Sequence, residues 1–238
     1  MEIYVMEVGE LFGEHMPLEF LEMLTPERRE RIKRIRAESE QRRSVAVGLL
    51  LEYGLRQRGY SLVCDDGLRK LGLSREKHGK PYVTGTEQLF FNLSHSGGYA
   101  AAVFSGQPVG IDVERIRSIG LALAKRFFAA EEYAALCAVS GAYGTSRRLD
   151  REFIRLWTRK ESYIKAVGEG MHLPLADFSV LSDTVRYGQF GTYYLKTWEI
   201  FDDAVLSVCA GKAIESQVRH ISFDELSRVL LCERNLLH

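Results

Sequence analysis

The sequence predicts an α+β protein with mainly antiparallel sheets, and three observations point there. Segments rich in β-forming residues cluster as hairpin candidates instead of alternating singly with helices. Helical patterns occur in each half of the chain, strongest in the second. The 238 residues are 46% hydrophobic and 27% charged, the balance of a packed chain. Such a composition excludes a disordered chain, and 21 Gly with 5 Pro exclude a collagen-like fibre. The 32 Lys+Arg match 32 Asp+Glu, which argues against a general nucleic-acid binder. This length suits one large domain or two small ones.

Taken in order, Ile3-Tyr4-Val5-Met6 reads as a first strand. Thr25-Pro26-Glu27 opens a helix, because Thr caps, Pro fits the first helical position and Glu suits the positive end. The helical pattern runs to about Gly59 in two pieces. The first is cationic (Arg28, Arg29, Arg31, Lys33, Arg34, Arg36), with Arg42 and Arg43 following; the second, Val45 to Leu55, is apolar enough to be buried. Gly67 to Pro81 is polar and reads as loop. Leu89 to Leu93 reads as a strand, Ser94 to Gly98 as a turn, and Tyr99 to Phe104 as a small-residue strand. Ser105 to Pro108 has hairpin-turn composition, with Val109 to Glu114 as the return strand. Leu121 to Val139 reads as one helix, 140–146 as a loop and Asp150 to Val167 as the strongest helix of the chain. Strands are expected at Ser179–Leu181, Thr192–Leu195, Thr197–Ile200 and Ala204–Cys209, and a short helix at Phe223–Leu231. No internal repeat is visible.

The four cysteines (Cys64, Cys137, Cys209 and Cys232) form no C-x-x-C pair, so reduced, mostly buried thiols are expected and not zinc or a disulfide framework. Met1-Glu2-Ile3-Tyr4 lacks a cationic leader, and the longest apolar run, Val45 to Leu51, falls far short of the ~20 residues of a membrane span. A cytoplasmic protein is the expectation.

Three segments could carry chemistry. In Gly110-Ile111-Asp112-Val113-Glu114 the strand period puts Asp112 and Glu114 on one face, about 7 Å apart. They repel each other unless solvated or bridged by a hard cation such as Mg2+; the plain alternative is an edge strand with an acidic outer face. Along the later helix, Phe153, Leu156, Trp157, Ile164 and Val167 form an apolar stripe. Lys160 falls inside that stripe and must snorkel or find a partner. Glu161 and Lys165 flank it one turn apart, either as an ordinary ion pair or as a metal-binding carboxylate beside a cation. Lastly, Asn92-Leu93-Ser94-His95-Ser96-Gly97-Gly98 offers an imidazole and two hydroxyls to phosphate oxygens, or is simply a capped turn. The arginine-rich helix reads alone as a solvated face balanced by Glu27, Glu30, Glu38 and Glu40. No G-x-S-x-G elbow, P-loop or G-x-G-x-x-G is present, and Gly79-Lys80-Pro81 lacks the upstream glycine and the hydroxyl of a P-loop.

Together these segments resemble the 4'-phosphopantetheinyl transferases, specifically the two-halved surfactin-synthetase-activating type. That family has a Gly-x-Asp strand followed some forty-odd residues later by Trp/Phe-x-x-Lys-Glu-Ser/Ala-x-x-x-Lys. The counterparts here are Gly110-Ile111-Asp112-Val113-Glu114 and Trp157-Thr158-Arg159-Lys160-Glu161-Ser162-Tyr163-Ile164-Lys165. The resemblance extends to Pro26-Glu27-Arg28-Arg29, Gly79-Lys80-Pro81, Asn92 to Ser96, Lys125 to Phe128 and Gly168 to Leu175.

The resemblance implies an enzyme that moves the phosphopantetheine arm of coenzyme A, its co-substrate, onto a serine of an apo acyl or peptidyl carrier protein, releasing 3',5'-ADP. It implies Asp112, Glu114 and Glu161 as ligands of Mg2+, with Mn2+ as a substitute. Phosphate contacts would come from Arg28, Arg31, Arg43, Lys80, Ser94, His95 and Lys165. The family often has Lys at the first two of these positions, and Arg keeps the charge. Glu161 or a metal-bound water it orients would take the serine proton, and Lys165 would neutralise the phosphoryl charge. It further implies a monomer of two pseudo-twofold-related halves, 1–108 and 109–238, with the site in the cleft between them, and neither a nucleic-acid nor a membrane partner. Phe127, Phe128 and the 140–146 segment are where a carrier would dock, unless both rings are core. Another Mg2+-dependent nucleotide pyrophosphate-cleaving enzyme and an inactive carrier- or coenzyme A-binding module are the alternatives.

Overall fold

The computed structural model describes residues 1–9, 18–63, 67–141 and 146–231. The first elements are β1 (Glu2–Glu7), α1 (Leu18–Glu22), α2 (Pro26–Lys33), α3 (Glu38–Arg56), β2 (Tyr60–Ser61), β3 (Arg69–Lys70), β4 (Gly72–Arg75) and β5 (Pro81–Thr84). Next come β6 (Phe90–Ser96), β7 (Tyr99–Ser105), β8 (Val109–Arg115), α4 (Leu121–Phe127), α5 (Ala130–Gly141) and α6 (Ser146–Val167). The last are β9 (Thr184–Arg186), β10 (Thr192–Ile200), β11 (Ala204–Ala210), β12 (Val218–His220) and α7 (Phe223–Leu231). The fold class is the α+β expected, and the chain forms two compact units.

Unit 1 comprises Met1–Arg75, Pro81–Gly106 and the chain from Ser216. Its sheet has the order β12-β1-β7-β6, parallel only between β1 and β12. Thr25 caps α2 by accepting the Arg28 N–H at 3.3 Å, and Pro26 is its first residue. Every residue of α3 from Ser44 to Arg56 is buried, because the sheet, α2 and α7 all pack against it. Each buried leucine there (Leu49, Leu50, Leu51, Leu55) contributes about 1.5–3 kcal/mol. The two charges this buries, Glu52 and Arg56, pair at 3.1 Å.

Unit 2 comprises Glu76–Lys80 and Gln107–Glu215. Its sheet is antiparallel throughout, in the order β8-β11-β10-β9. α6 lies along β8 and β11, and its apolar stripe (Phe153, Leu156, Ile164) enters a core with Phe128, Phe178 and Val205.

Several expectations need correction. β8 is not the hairpin return of β7: β7 already has β1 and β6 on its two sides, and β8 pairs with β11 in the other sheet. The 121–139 helix is broken at Phe128, whose extended backbone (ψ 150°) turns its ring into the core against Phe153. Ser179–Leu181 is no strand, because Glu132 takes the Val180 N–H and Arg159 takes the Val180 carbonyl. Thr192–Ile200 is one strand, and Gly67–Pro81 contains β3 and β4, the latter paired with β5. β12 and α7 return to unit 1, where Leu226 and Leu230 are buried, so a single cut after residue 108 does not separate the units. Of the cysteines, Cys209 is a buried free thiol and Cys137 a half-buried one; Cys64 and Cys232 lie outside the described residues.

Candidate active site

The site in unit 2 begins with a glycine. Gly110, Asp112 and Glu114 share the face of β8 that meets α6. A Cβ on Gly110 would lie 2.0 Å from the Ser162 carbonyl oxygen and 2.4 Å from the Ala166 nitrogen, both backbone atoms of α6. Only glycine therefore lets the helix come this close. On the neighbouring strand, Ser207 stands opposite Asp112 and its hydroxyl meets Thr158 of α6 at 2.8 Å. The helix is seated so that Lys165 reaches Asp112 of β8.

Lys165 Nζ donates to Asp112 Oδ1 at 2.6 Å and to the Ile111 carbonyl at 3.2 Å. Asp112 is almost fully buried (4% exposed), whereas Glu114, Glu161 and Lys165 are half-buried. Burial pushes the Glu161 carboxyl up; the Asp112 charge adds to this, Lys165 opposes it, and Glu114 raises it further. The charges of Asp112 and Glu114 both bear on the Glu161 carboxyl. Lys165 pairs most closely with Asp112, not with the residue one turn before it. Among the described residues no three His, Cys, Asp or Glu side chains are drawn tightly enough to enclose a metal ion. The donor set nevertheless fits a hard divalent cation: all its ligands are oxygens, and a cation would relieve the repulsion that raises Glu161.

Lys80 donates to the carbonyls of Val109 (3.3 Å) and Ala166 (3.2 Å), bridging β8 to the C-terminal end of α6, and burial lowers its pKa. It serves here as a tie between those elements.

The other expected phosphate contacts lie in unit 1. Arg28 runs across α3, where its Cδ would sit 2.6 Å from a Cβ on Gly48, and donates to the Ser44 carbonyl at 3.0 Å. Burial, then Arg31 and Arg75, bring its pKa down to about 10, so it stays a cation at neutral pH. Arg75 is an unforeseen member of this group; it lies on β4, in a segment whose polarity reads as loop. Arg31 is exposed. Arg43 donates to the Gly97 carbonyl at 2.9 Å and pairs with Glu40 at 2.6 Å, and the His95 charge also bears on Glu40. Ser94 to Ser96 end β6, and the turn is only Gly97-Gly98. Ser94 is buried and His95 exposed, their side chains on opposite faces of the strand.

Phe128 is core, 4% exposed, and this corrects its expected docking role. Phe127 is half-buried, edge-on to Trp157, with the Arg126 guanidinium 5.0 Å from its ring centre. Residues 142–145 of the other expected docking segment lie outside the described residues. No helix among the described residues is long and apolar enough to cross a membrane.

Comparison with known proteins places the chain in a family. A family model described as "4'-phosphopantetheinyl transferase superfamily" matches residues 108–209, which include β8 and α6. A second, "4'-phosphopantetheinyl transferase, N-terminal", matches residues 14–107. The 4'-phosphopantetheinyl transferase Sfp of Bacillus subtilis (strain 168) is 31% identical over 238 residues, 95% of this chain and 100% of that protein. The enzyme ffp of Bacillus subtilis is 28% identical over 236 residues, 95% of this chain and 100% of that protein. The enzyme gsp of Aneurinibacillus migulanus is 34% identical over 163 residues, 66% of this chain and 65% of that protein. The chain belongs to the 4'-phosphopantetheinyl transferase superfamily.

Proposed function

We propose that this chain transfers the 4'-phosphopantetheine arm of coenzyme A to a serine of an apo acyl or peptidyl carrier protein, in the cytoplasm, as a monomer dependent on Mg2+ or Mn2+. Asp112, Glu114 and Glu161 would hold the cation, which when bound supplies charge neutralisation on the pyrophosphate of coenzyme A. The observation that carries this reading is the Lys165 ammonium of α6 seated on the buried Asp112 of β8 at 2.6 Å, beside a Glu161 carboxyl that burial and then the Asp112 charge push up. Full-length similarity to named 4'-phosphopantetheinyl transferases supports the reaction class.

In the proposed step the serine oxygen bonds to the phosphorus next to the pantetheine arm, and the bond from that phosphorus to the bridging oxygen breaks. Serine is a weak nucleophile at neutral pH. Glu161, or a metal-bound water that it would orient, takes its proton. Lys165 stabilises the charge that develops on the phosphoryl oxygens and gives a hydrogen bond to the departing 3',5'-ADP. Arg28, Arg31, Arg43, Ser94 and His95 bind phosphate, with Arg28 and Arg43 already oriented by the Ser44 and Gly97 carbonyls. Lys80 reaches phosphate only if it exchanges a carbonyl for it.

The test is a panel of purified apo-carriers incubated with coenzyme A and Mg2+ and read by intact-protein mass spectrometry. A phosphopantetheine mass gain on at least one carrier, abolished by EDTA, is expected. No gain on any carrier, or a gain that ignores EDTA, defeats the reading.

A further inference from the structure

Lys160 lies in the apolar stripe of α6, next in sequence to Glu161, and is fully buried. Its ammonium makes three close contacts: Glu132 Oε2 at 2.8 Å, the Leu175 carbonyl at 2.6 Å and the Phe178 carbonyl at 2.5 Å. The Phe178 ring centre is 4.2 Å away. Glu132, also fully buried, accepts the Ala129 N–H on Oε2 at 2.9 Å and the Val180 N–H on Oε1 at 2.7 Å. All three N–H groups of the lysine and both carboxylate oxygens are engaged.

We propose that Glu132 and Lys160 are a positioning pair for the transfer reaction: they fix the rotation and height of α6, and so the aim of Glu161. A buried ion pair is a poor device for stability alone, since apolar side chains of similar size often serve as well. Leucine or methionine would suit position 160, in a stripe shared with Phe153, Leu156 and Ile164. What the pair supplies instead is direction. It ties the start of α5, the middle of α6 and the 175–180 segment at one point, through bonds that tolerate little displacement. Successive helical side chains diverge by about 100°, so locking residue 160 sets where residue 161 points. Across the helix, Gly110 meets the Ser162 carbonyl and the Ala166 nitrogen. α6 is therefore held on one side by backbone contact and on the other by the buried pair, with Glu161 between the two.

This rests on the proposed reaction, and the experiment separates the two. The double variant Glu132→Leu with Lys160→Met removes both charges together, so neither charge is left unpaired, although the Ala129 and Val180 N–H groups and the Leu175 and Phe178 carbonyls lose their partners and the melting temperature falls. Kinetics on a carrier that the unaltered protein modifies are combined with calorimetric titration of coenzyme A plus Mg2+ and with thermal unfolding. The expected double variant is folded, and its kcat falls by about 10- to 100-fold while KM for coenzyme A stays within about twofold. Its Mg2+ requirement rises at least about threefold in both rate and calorimetry, because the third carboxylate is less well aimed. Unchanged kcat and Mg2+ requirement overturn the proposal whatever happens to the melting temperature. If the double variant does not fold, Glu132→Gln is measured in its place against the same two outcomes. An unaltered protein that modifies no carrier defeats the reaction itself, not the pairing.

Discussion

Replacing Gly110 with alanine would put a methyl group where α6 now lies. The new Cβ would stand 2.0 Å from the Ser162 carbonyl oxygen and 2.4 Å from the Ala166 nitrogen. Ordinary contact begins at 3.4 Å, so the worse clash is about 1.4 Å too close. Both obstacles are helix backbone, which cannot rotate away as a flexible side chain would. The helix must tilt or lift off β8, or β8 must bend. Overpacking of this kind costs about 1–3 kcal/mol, and at about 2–4 °C per kcal/mol for a chain of this size the melting temperature drops by roughly 2–12 °C. The effect on catalysis should be larger. Glu161 and Lys165 ride on the displaced helix, and a misplacement of about 1 Å can reduce a rate by about a hundredfold. The assay is thermal unfolding together with kcat for carrier modification. A Gly110→Ala protein with unaltered melting temperature and rate would refute the reasoning that close approach of α6 to β8 builds the site.

Arg28→Gln should raise KM for coenzyme A by about tenfold or more with a smaller change in kcat, because a half-buried, pre-oriented cation for phosphate is lost; an unchanged KM in steady-state kinetics argues against phosphate binding there. Tyr4, buried and donating to Glu2 at 2.6 Å, has its pKa pushed from 10.0 up to about 12. Between those values the unfolded chain releases a proton that the folded chain keeps, so this contribution is intact below about pH 10 and is lost as pH rises through about 12. Denaturant midpoints measured across that range should fall, and a flat profile is incompatible with the buried Tyr4 hydroxyl. Burial raises the Cys209 thiol pKa well above its ordinary value. Peptide mapping after alkylation should find Cys209 unmodified in native protein while the half-buried Cys137 reacts; rapid labelling of Cys209 counts against its burial.

What the sequence reveals depends on how far apart the cooperating residues lie. Thr25-Pro26 is a local device, and the structure has the cap it implies. Strand parity correctly puts Asp112 and Glu114 on one face, and helix periodicity puts Lys160 in the stripe. Its partner Glu132 is 28 residues away, in a stretch whose composition reads as one unbroken helix. Nothing local marks the break at Phe128, which exists because the core accepts that ring and Glu132 holds the Ala129 amide. β8 is misread as a hairpin return for a similar reason: turn composition at 105–108 marks a bend but not which sheet receives the next strand. The partial burial of Arg28 and the nearness of Arg75 arise from packing between segments distant in sequence.

The central claim is that Asp112, Glu114 and Glu161 act on one divalent cation. Calorimetric or spin-resonance titration of Mn2+ with coenzyme A present tests this without relying on turnover. Binding to the unaltered protein should be clear, and Asp112→Asn, Glu114→Gln and Glu161→Gln should each weaken it by about tenfold or more. A Glu161→Gln protein that binds the ion as tightly as the unaltered one would contradict the claim.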